Sequence, residues 1–286
     1  MATVQEFRGA KPTWCPGCGD FAVLQAMQTA LANTGNSPHQ TAVVSGIGCS
    51  GKTSQYLSAY GFHGLHGRTI PAATAIKLVN HSLTVLATGG DGDGYGIGLS
   101  HSLHAMRRNI DITYVVMDNN IYGLTTGQVS PTSRKGFKSK TSPTGSAEDP
   151  IRPLELALGA GASFIAQGFS GEPKHLTRLL EEAIRHKGFS LVNVFSPCVT
   201  FNKVNTYEWF KEKLVNLDTV AGYDPTDKYG AARVVGEHDG LVLGVVYREE
   251  RPVYHDALPA VSDTPIAHMN IELPVAERYA ILDSFR

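Results

Sequence analysis

Five short apolar runs punctuate the first two thirds of the chain, at residues 41–45, 83–87, 112–117, 163–166 and 190–195. They are continuous rather than alternating, which is the pattern of strands buried on both faces of a parallel sheet. Between them, apolar positions recur at helical spacing. Phe21, Leu24, Met27 and Leu31 form one such face, and Leu99, Leu103 and Met106 another. Further helices are predicted over 72–80, 153–158 and 173–186. Asp20 stands where it can cap the first helix. Strand–helix alternation of this kind predicts an α/β fold, a doubly wound parallel sheet with helices on both faces. Residues 61–82 otherwise read as loop-rich. Residues 122–146 are almost all Gly, Ser, Thr, Pro and Lys, which predicts a long functional or mobile loop. Beyond Trp209 the pattern weakens. One domain is therefore expected over 1–223, with 224–286 a C-terminal extension wrapping a neighbouring subunit or the domain surface.

Composition narrows the function. The 286 residues are 42% hydrophobic, enough for a full core, and carry a net charge of −1. That balance gives no electrostatic case for nucleic acid or for a membrane surface. No apolar run approaches 18 residues, and residues 1–11 hold no apolar segment of the secretory kind, so a cytoplasmic protein is expected. In a reducing compartment its four cysteines are more readily ligands or bystanders than disulfides.

The richest stretch is Thr88-Gly89-Gly90-Asp91-Gly92-Asp93-Gly94-Tyr95-Gly96, between a predicted strand and a predicted helix. Ligands bind at the carboxyl ends of strands in open α/β sheets, and a glycine-rich helix start suits an anion. A carboxylate there needs a cation beside it. The dinucleotide fingerprint fails in every frame, and so does a calcium loop starting at Asp91. Asn119 follows Gly90 by 29 residues (119 − 90), one helix and one strand later, in Asp118-Asn119-Asn120. On adjacent parallel strands both loops share one edge. The Asp91 carboxylate, the Asn119 amide oxygen and a backbone carbonyl just beyond would suit Mg2+, with diphosphate oxygens and water completing its shell.

A rival signal is Gly46-Ile47-Gly48-Cys49-Ser50-Gly51-Lys52-Thr53, formally a phosphate-binding P-loop after a strand, with Asp118 as its possible acidic partner. The cysteines supply separate chemistry. Cys15 and Cys18 form a C-x-x-C, and Cys49 and Cys198 lie in distant loops. Four loop thiols fit a 4Fe-4S cluster or zinc, and spacing alone does not choose between them.

The G-D-G, thirty-residue, N-N arrangement resembles thiamine diphosphate enzymes. With Trp14-Cys15-Pro16-Gly17-Cys18-Gly19, Gly46-Ile47-Gly48-Cys49-Ser50, Leu65-His66-Gly67-Arg68, residues 118–125, Gly127-Gln128 and Ser196-Pro197-Cys198, the chain resembles the β subunit of a 2-oxoacid:ferredoxin oxidoreductase from about residue 7 to 214. The resemblance implies the thiamine diphosphate-binding fold, in the half that holds the pyrophosphate. It implies cluster ligation by Cys15, Cys18, Cys49 and Cys198, with Mg2+ at Asp91, Asn119 and the Ile121 carbonyl. Ile47, Gly48, Cys49, Ser50, His66, Gly92, Asp93, Gly123 and Leu124 would line the cofactor. Lys52 would meet the substrate carboxylate, and His66 would buffer a proton or bond the pyrophosphate. A cysteine tied to a cluster would stop residues 46–53 from wrapping a phosphate. The implied reaction is oxidative decarboxylation of a 2-oxoacid with coenzyme A, with electrons passing to ferredoxin. Activity would require an α subunit, which carries the glutamate that activates the cofactor. Thr126 stands where relatives often carry lysine, yet the stretch through Ser130-Pro131-Thr132-Ser133 still favours 2-oxoglutarate over pyruvate. A non-oxidative thiamine-dependent lyase and a zinc-stabilised binding module are the other readings.

Overall fold

The computed structural model describes residues 2–259, 263–270 and 272–286, so positions 260–262 and 271 of the expected extension lie outside the described residues. The strands are β1 (Thr41–Ser45), β2 (Tyr60–His63), β3 (Thr84–Gly90), β4 (Thr113–Asp118), β5 (Phe164–Phe169), β6 (Ser190–Phe195), β7 (Val215–Asn216) and β8 (Val242–Arg248). They form one sheet in the order β2-β1-β3-β4-β6-β5-β8-β7, parallel throughout except that β8 runs antiparallel to β5. Helices α1 (Asp20–Asn33), α2 (Thr53–Tyr56), α3 (Thr69–Val79), α4 (Leu99–Arg108), α5 (Pro153–Ala160), α6 (Pro173–Arg185), α7 (Tyr207–Lys213), α8 (Lys228–Glu237) and α9 (Val275–Asp283) accompany it.

Both faces are covered, as the continuous apolar strands require. One face packs Leu86, Val115 and Val192 against Met27 and Leu31 of α1 and Leu176 and Leu180 of α6. The other packs Val44, Val116 and Leu191 against α3, α4, α5 and α8 through Ala73, Met106, Leu158 and Val235. No helix among the described residues is long and apolar enough to cross a membrane.

Three features depart from the sequence pattern. β2 is an edge strand exposed at every position, so it carries no buried run to read. Residues 228–248 are not a peripheral extension, because α8 packs on the core and β8 joins the sheet. Gly244 (φ +124) sits inside β8, the register slips by a bulge between Val245 and Tyr247, and the strand runs out into charged residues and a proline. The long polar loop contains no strand or regular helix, yet Ser130, Thr132, Ser133 and Phe137 are buried in it, so it is anchored rather than loose.

β3 and β4 are neighbours in register Gly90↔Met117. That pairing brings the Asp91 and Asn119 loops to one edge of the sheet, beside the loop that leaves β1.

Candidate cofactor-binding site

Strand β3 runs directly into the glycine loop, and Asp91 opens a wide π-type turn over Gly92–Ile97. Such turns are rare and gather at functional sites. Glycine at 92 is obligatory, because a Cβ there would lie 2.1 Å from the Tyr122 ring. The Tyr122 hydroxyl in turn donates to the Gly92 carbonyl at 3.2 Å.

A cavity of about 140 Å³ opens at this edge. It gathers Ile47, Gly48, Cys49 and Ser50 from the loop after β1, and His66 from the loop before α3. Asp91, Gly92 and Asp93 come from the glycine loop, and Asn119, Ile121, Gly123 and Leu124 from the loop after β4. Lys52 and Thr126 are not among its lining residues. Lys52 Nζ instead donates to Thr13 Oγ1 at 3.2 Å. Thr126 adopts φ +76, an unusual backbone for a β-branched residue, at the tip of the Tyr122–Gln128 hairpin. It faces a separate shallow groove with Lys138 and Lys140.

The P-loop reading does not survive this geometry. The Thr53 hydroxyl, which would have to meet a metal, is fully buried between the Ser50 carbonyl and the Thr88 hydroxyl. The helix it opens spans four residues.

Charge is the distinctive property of the cavity. Asp20, Asp91 and Asp93 line it, and among the described residues no lysine or arginine does. Asp93 is internally satisfied. Its Oδ1 accepts from the Ile47 and Gly67 amides at 3.0 and 2.8 Å and lies 2.7 Å from His66 Nδ1, while Oδ2 accepts from Thr69 Oγ1 at 3.1 Å. It therefore ties three loops together, and a proton on His66 Nδ1 leaves Nε2 free.

Asp91 is different. Burial pushes its carboxyl above the ordinary range, against hydrogen bonds from Ser130 and Thr132. Thr132 Oγ1 lies 2.8 Å from Asp91 Oδ2 and also 2.8 Å from Asp118 Oδ1. One hydroxyl proton serves only one of them, so the other contact needs a protonated carboxyl. Asp118 is likewise pushed up, by burial and then by the charge of Asp91. Two buried acids beside an anion site require a cation for both to ionise. Ser50 Oγ is also buried without a partner among the described residues. This acidic, underdonated cavity fits a diphosphate only with a divalent ion between them. Asp91, Asn119 and Ile121 supply oxygen donors of the type Mg2+ takes.

The cysteines approach the same edge from remote segments. Cys15 is exposed, Cys18 and Cys49 are partly buried, and Cys198 is buried. A Cβ on Gly123 would stand 3.3 Å from Cys198 Sγ and 4.0 Å from Cys49 Sγ, so these two thiols flank one point on the cavity wall. Cys18 is close enough to feel both Cys49 and Cys198. Burial, then the charge of Asp20, raises the Cys18 thiol far above its usual value and the Cys49 thiol to about 12. Without a metal these thiols stay protonated, whereas a coordinated thiol is deprotonated outright. Among the described residues, no three His, Cys, Asp or Glu side chains are grouped closely enough to hold a single metal ion.

Three residues of this edge carried little signal in the sequence. Thr132 lay in a polar loop whose hydroxyls gave no sign of being buried. Asn202 donates to the Asn119 carbonyl at 3.0 Å from beyond the last cysteine. Asp20 does not cap α1, whose N-cap is Gly19; its Oδ1 accepts from Ser196 Oγ at 2.6 Å.

Comparison with known proteins identifies the family and the fold. A family model described as "Thiamine pyrophosphate enzyme, C-terminal TPP binding domain" matches residues 35–194. Another, for the C-terminal part of the pyruvate ferredoxin oxidoreductase beta subunit, matches residues 198–263. A 2-oxoacid:ferredoxin oxidoreductase subunit beta from Sulfolobus is 41% identical over 87% of this chain and 86% of that one. A 2-oxoglutarate synthase subunit KorB from Archaeoglobus fulgidus is 43% identical over 71% of this chain and 76% of its own length. Among solved structures, a 2-oxoglutarate:ferredoxin oxidoreductase from Magnetococcus marinus, with 2-oxoglutarate, coenzyme A and succinyl-CoA bound, superposes with a TM-score of 0.90 at 35% identity, covering 98% of this chain and 96% of that one. Sheet, cavity and relatives agree: this chain belongs to the β subunits of the 2-oxoacid:ferredoxin oxidoreductases.

Proposed function

We propose that the chain is the pyrophosphate-holding, electron-carrying half of a cytoplasmic 2-oxoglutarate:ferredoxin oxidoreductase. It converts the 2-oxoacid and coenzyme A to the acyl-CoA and CO2 in obligate partnership with an α subunit. The observation that carries this reading is the cavity that joins Asp91 and Asn119 to the Cys49 loop. When bound, thiamine diphosphate supplies the chemistry that releases CO2 from a 2-oxoacid, and a 4Fe-4S cluster accepts electrons singly for ferredoxin.

The chain's own residues have defined tasks. Asp91, Asn119 and the Ile121 carbonyl hold Mg2+, with Thr132 and Asn202 fixing the first two of these residues. Asp93 locks His66 so that its free nitrogen bonds a phosphate. Ser50 and the backbone of Gly48, Gly92 and Gly123 approach the cofactor closely. Leu124, exposed on the hairpin, lines the cavity. Cys15, Cys18, Cys49 and Cys198 hold the cluster. Lys52 is withdrawn onto Thr13 and reaches a substrate carboxylate by leaving that contact.

The relatives named for 2-oxoglutarate, and the Magnetococcus structure with that substrate bound, favour it over pyruvate here. The test is anaerobic reconstitution with the α subunit. Iron, acid-labile sulfide and a broad visible absorbance are expected, with ferredoxin reduction faster on 2-oxoglutarate than on pyruvate. The β chain alone should be inactive. Zinc in place of iron, or preference for pyruvate, would overturn the corresponding part.

A further inference from the structure

Asp20 belongs to two structures at once. It stands two positions after Cys18 and lines the cavity that holds Asp91 and Asn119. Its side chain is buried, and its Oδ1 accepts a hydrogen bond from Ser196 at 2.6 Å, two positions before Cys198. Among the described residues its Oδ2 has no partner of ordinary hydrogen-bond geometry, although the Cys18 thiol and Ser196 both favour its charged form against burial. The same two segments meet again through the Gly19 amide and the Pro197 carbonyl at 3.3 Å. Nothing larger than glycine fits at 19, because a Cβ there would lie 2.5 Å from Ser196 Oγ and 2.7 Å from Ser170 Oγ. The third cysteine segment is tied in separately, by Trp14 Nε1 donating to the Cys49 carbonyl at 2.8 Å.

A buried carboxylate without full hydrogen bonding costs stability, so helix capping does not explain an aspartate whose side chain caps nothing. We infer that Asp20 is a positioning residue: with Ser196 it clasps the Cys15–Cys18 turn to the Cys198 loop, holding the thiols in register beside the cofactor cavity. This deepens the reading above and rests on those cysteines sharing one cluster. The clasp needs an acceptor at position 20 and a hydroxyl at position 196. Asparagine can supply the acceptor, and alanine cannot.

The test uses the anaerobically purified αβ complex as wild type, Asp20→Ala, Asp20→Asn, Ser196→Ala and the Asp20→Ala/Ser196→Ala double variant. Iron release to a chelator is followed, with iron content at the start. Asp20→Ala and Ser196→Ala should each release iron about tenfold faster, the size of effect that loss of the groups supporting a metal's ligands has elsewhere. The double variant should release iron no faster than either single, as two partners in one contact require. Asp20→Asn should return toward wild type. Additive single effects, an asparagine variant as labile as alanine, or wild-type release from Asp20→Ala would each overturn the clasp. If the wild-type complex holds no iron, the functional reading fails by itself. The clasp is then judged on the metal-free chain by the rate at which a short bifunctional thiol reagent bridges Cys18 to Cys198. That rate should fall in Asp20→Ala and recover in Asp20→Asn, and an unchanged rate would overturn it.

Discussion

At the amino edge of the sheet, Lys77 Nζ lies 2.8 Å from Asp111 Oδ2 and donates at 2.8 Å to the Leu83 carbonyl, just ahead of β3 and β4. At the carboxyl edge of the same strands, Asp91 and Asp118 share one threonine hydroxyl, and among the described residues no lysine or arginine lines the cavity at Asp91. Both centres are buried and both contain charge. The first is closed, because every charge has its counterpart within the chain. The second is open, and what it lacks specifies what it binds. Burial of charge is thus no mark of function by itself. An incomplete set of partners is the sharper sign, since structural ion pairs perturb titration as active sites do.

The largest expected effect separates the two edges by substitution. Lys77→Met leaves the largely buried Asp111 with the Gly188 amide but no cation, and should destabilise the fold by about 3 kcal/mol, with Mg2+-dependent thiamine diphosphate affinity unchanged. Asp91→Asn should do the reverse, leaving the metal-free melting temperature unchanged or raised while abolishing that affinity. Denaturation curves beside cofactor titrations decide it, and a loss of both properties in either variant would break the distinction.

A smaller effect follows from Thr132→Val, which keeps the shape and deletes the hydroxyl between the two carboxylates. Support of this kind behind a metal's ligands is worth about 10–100-fold in metal affinity. The Mg2+ concentration needed for cofactor binding should rise by that factor, with little change in maximal activity once Mg2+ saturates. An unchanged Mg2+ requirement would remove Thr132 from the site.

The sequence displayed these two edges unequally. β1, β3, β4, β5 and β6 were legible because a strand buried on both faces must be apolar throughout. Asp91 and Asn119 were legible as neighbours because one helix separates two strands that pair in parallel, so a loop spacing becomes a spatial one. β8 was not, because its pairing with β5 depends on a partner far away in sequence, and the positive-φ Gly244 and the bulge beside it mimic a break. Thr132 and Asp20 were hidden for a related reason. A threonine in a polar loop and an aspartate at a helix start each have an ordinary local explanation, and only tertiary contact reveals another.

The smallest expected effect is in acid. His255 is buried and stacked on His81 with ring centroids 4.7 Å apart. Burial, then the neighbouring His81, holds it below the ordinary histidine value, with Lys77 adding to this and Asp256 and Asp111 opposing it. A depressed folded-state value means the unfolded chain takes the proton more readily. Stability is therefore full above about pH 6.5 and is lost as pH falls through the lower folded value. His255→Phe keeps a ring and removes the titration, so its melting temperature should fall less than wild type between pH 7 and pH 5. Parallel curves would show that the amino edge is acid-sensitive for some other reason.

The hydrogen bond between Asp20 and Ser196 joins residues 176 positions apart. At ordinary translation rates, about 5–20 residues per second, the first thiols leave the ribosome on the order of 10–40 s before the loop that completes their set. Through that interval Cys15 and Cys18 are bare thiols on an unfinished sheet, open to oxidation and to the wrong metal. If the four cysteines share a cluster as proposed, its loading is a late event in the life of the chain, after the strand preceding Cys198 has joined the sheet, and it depends on whatever guards two early cysteines until then.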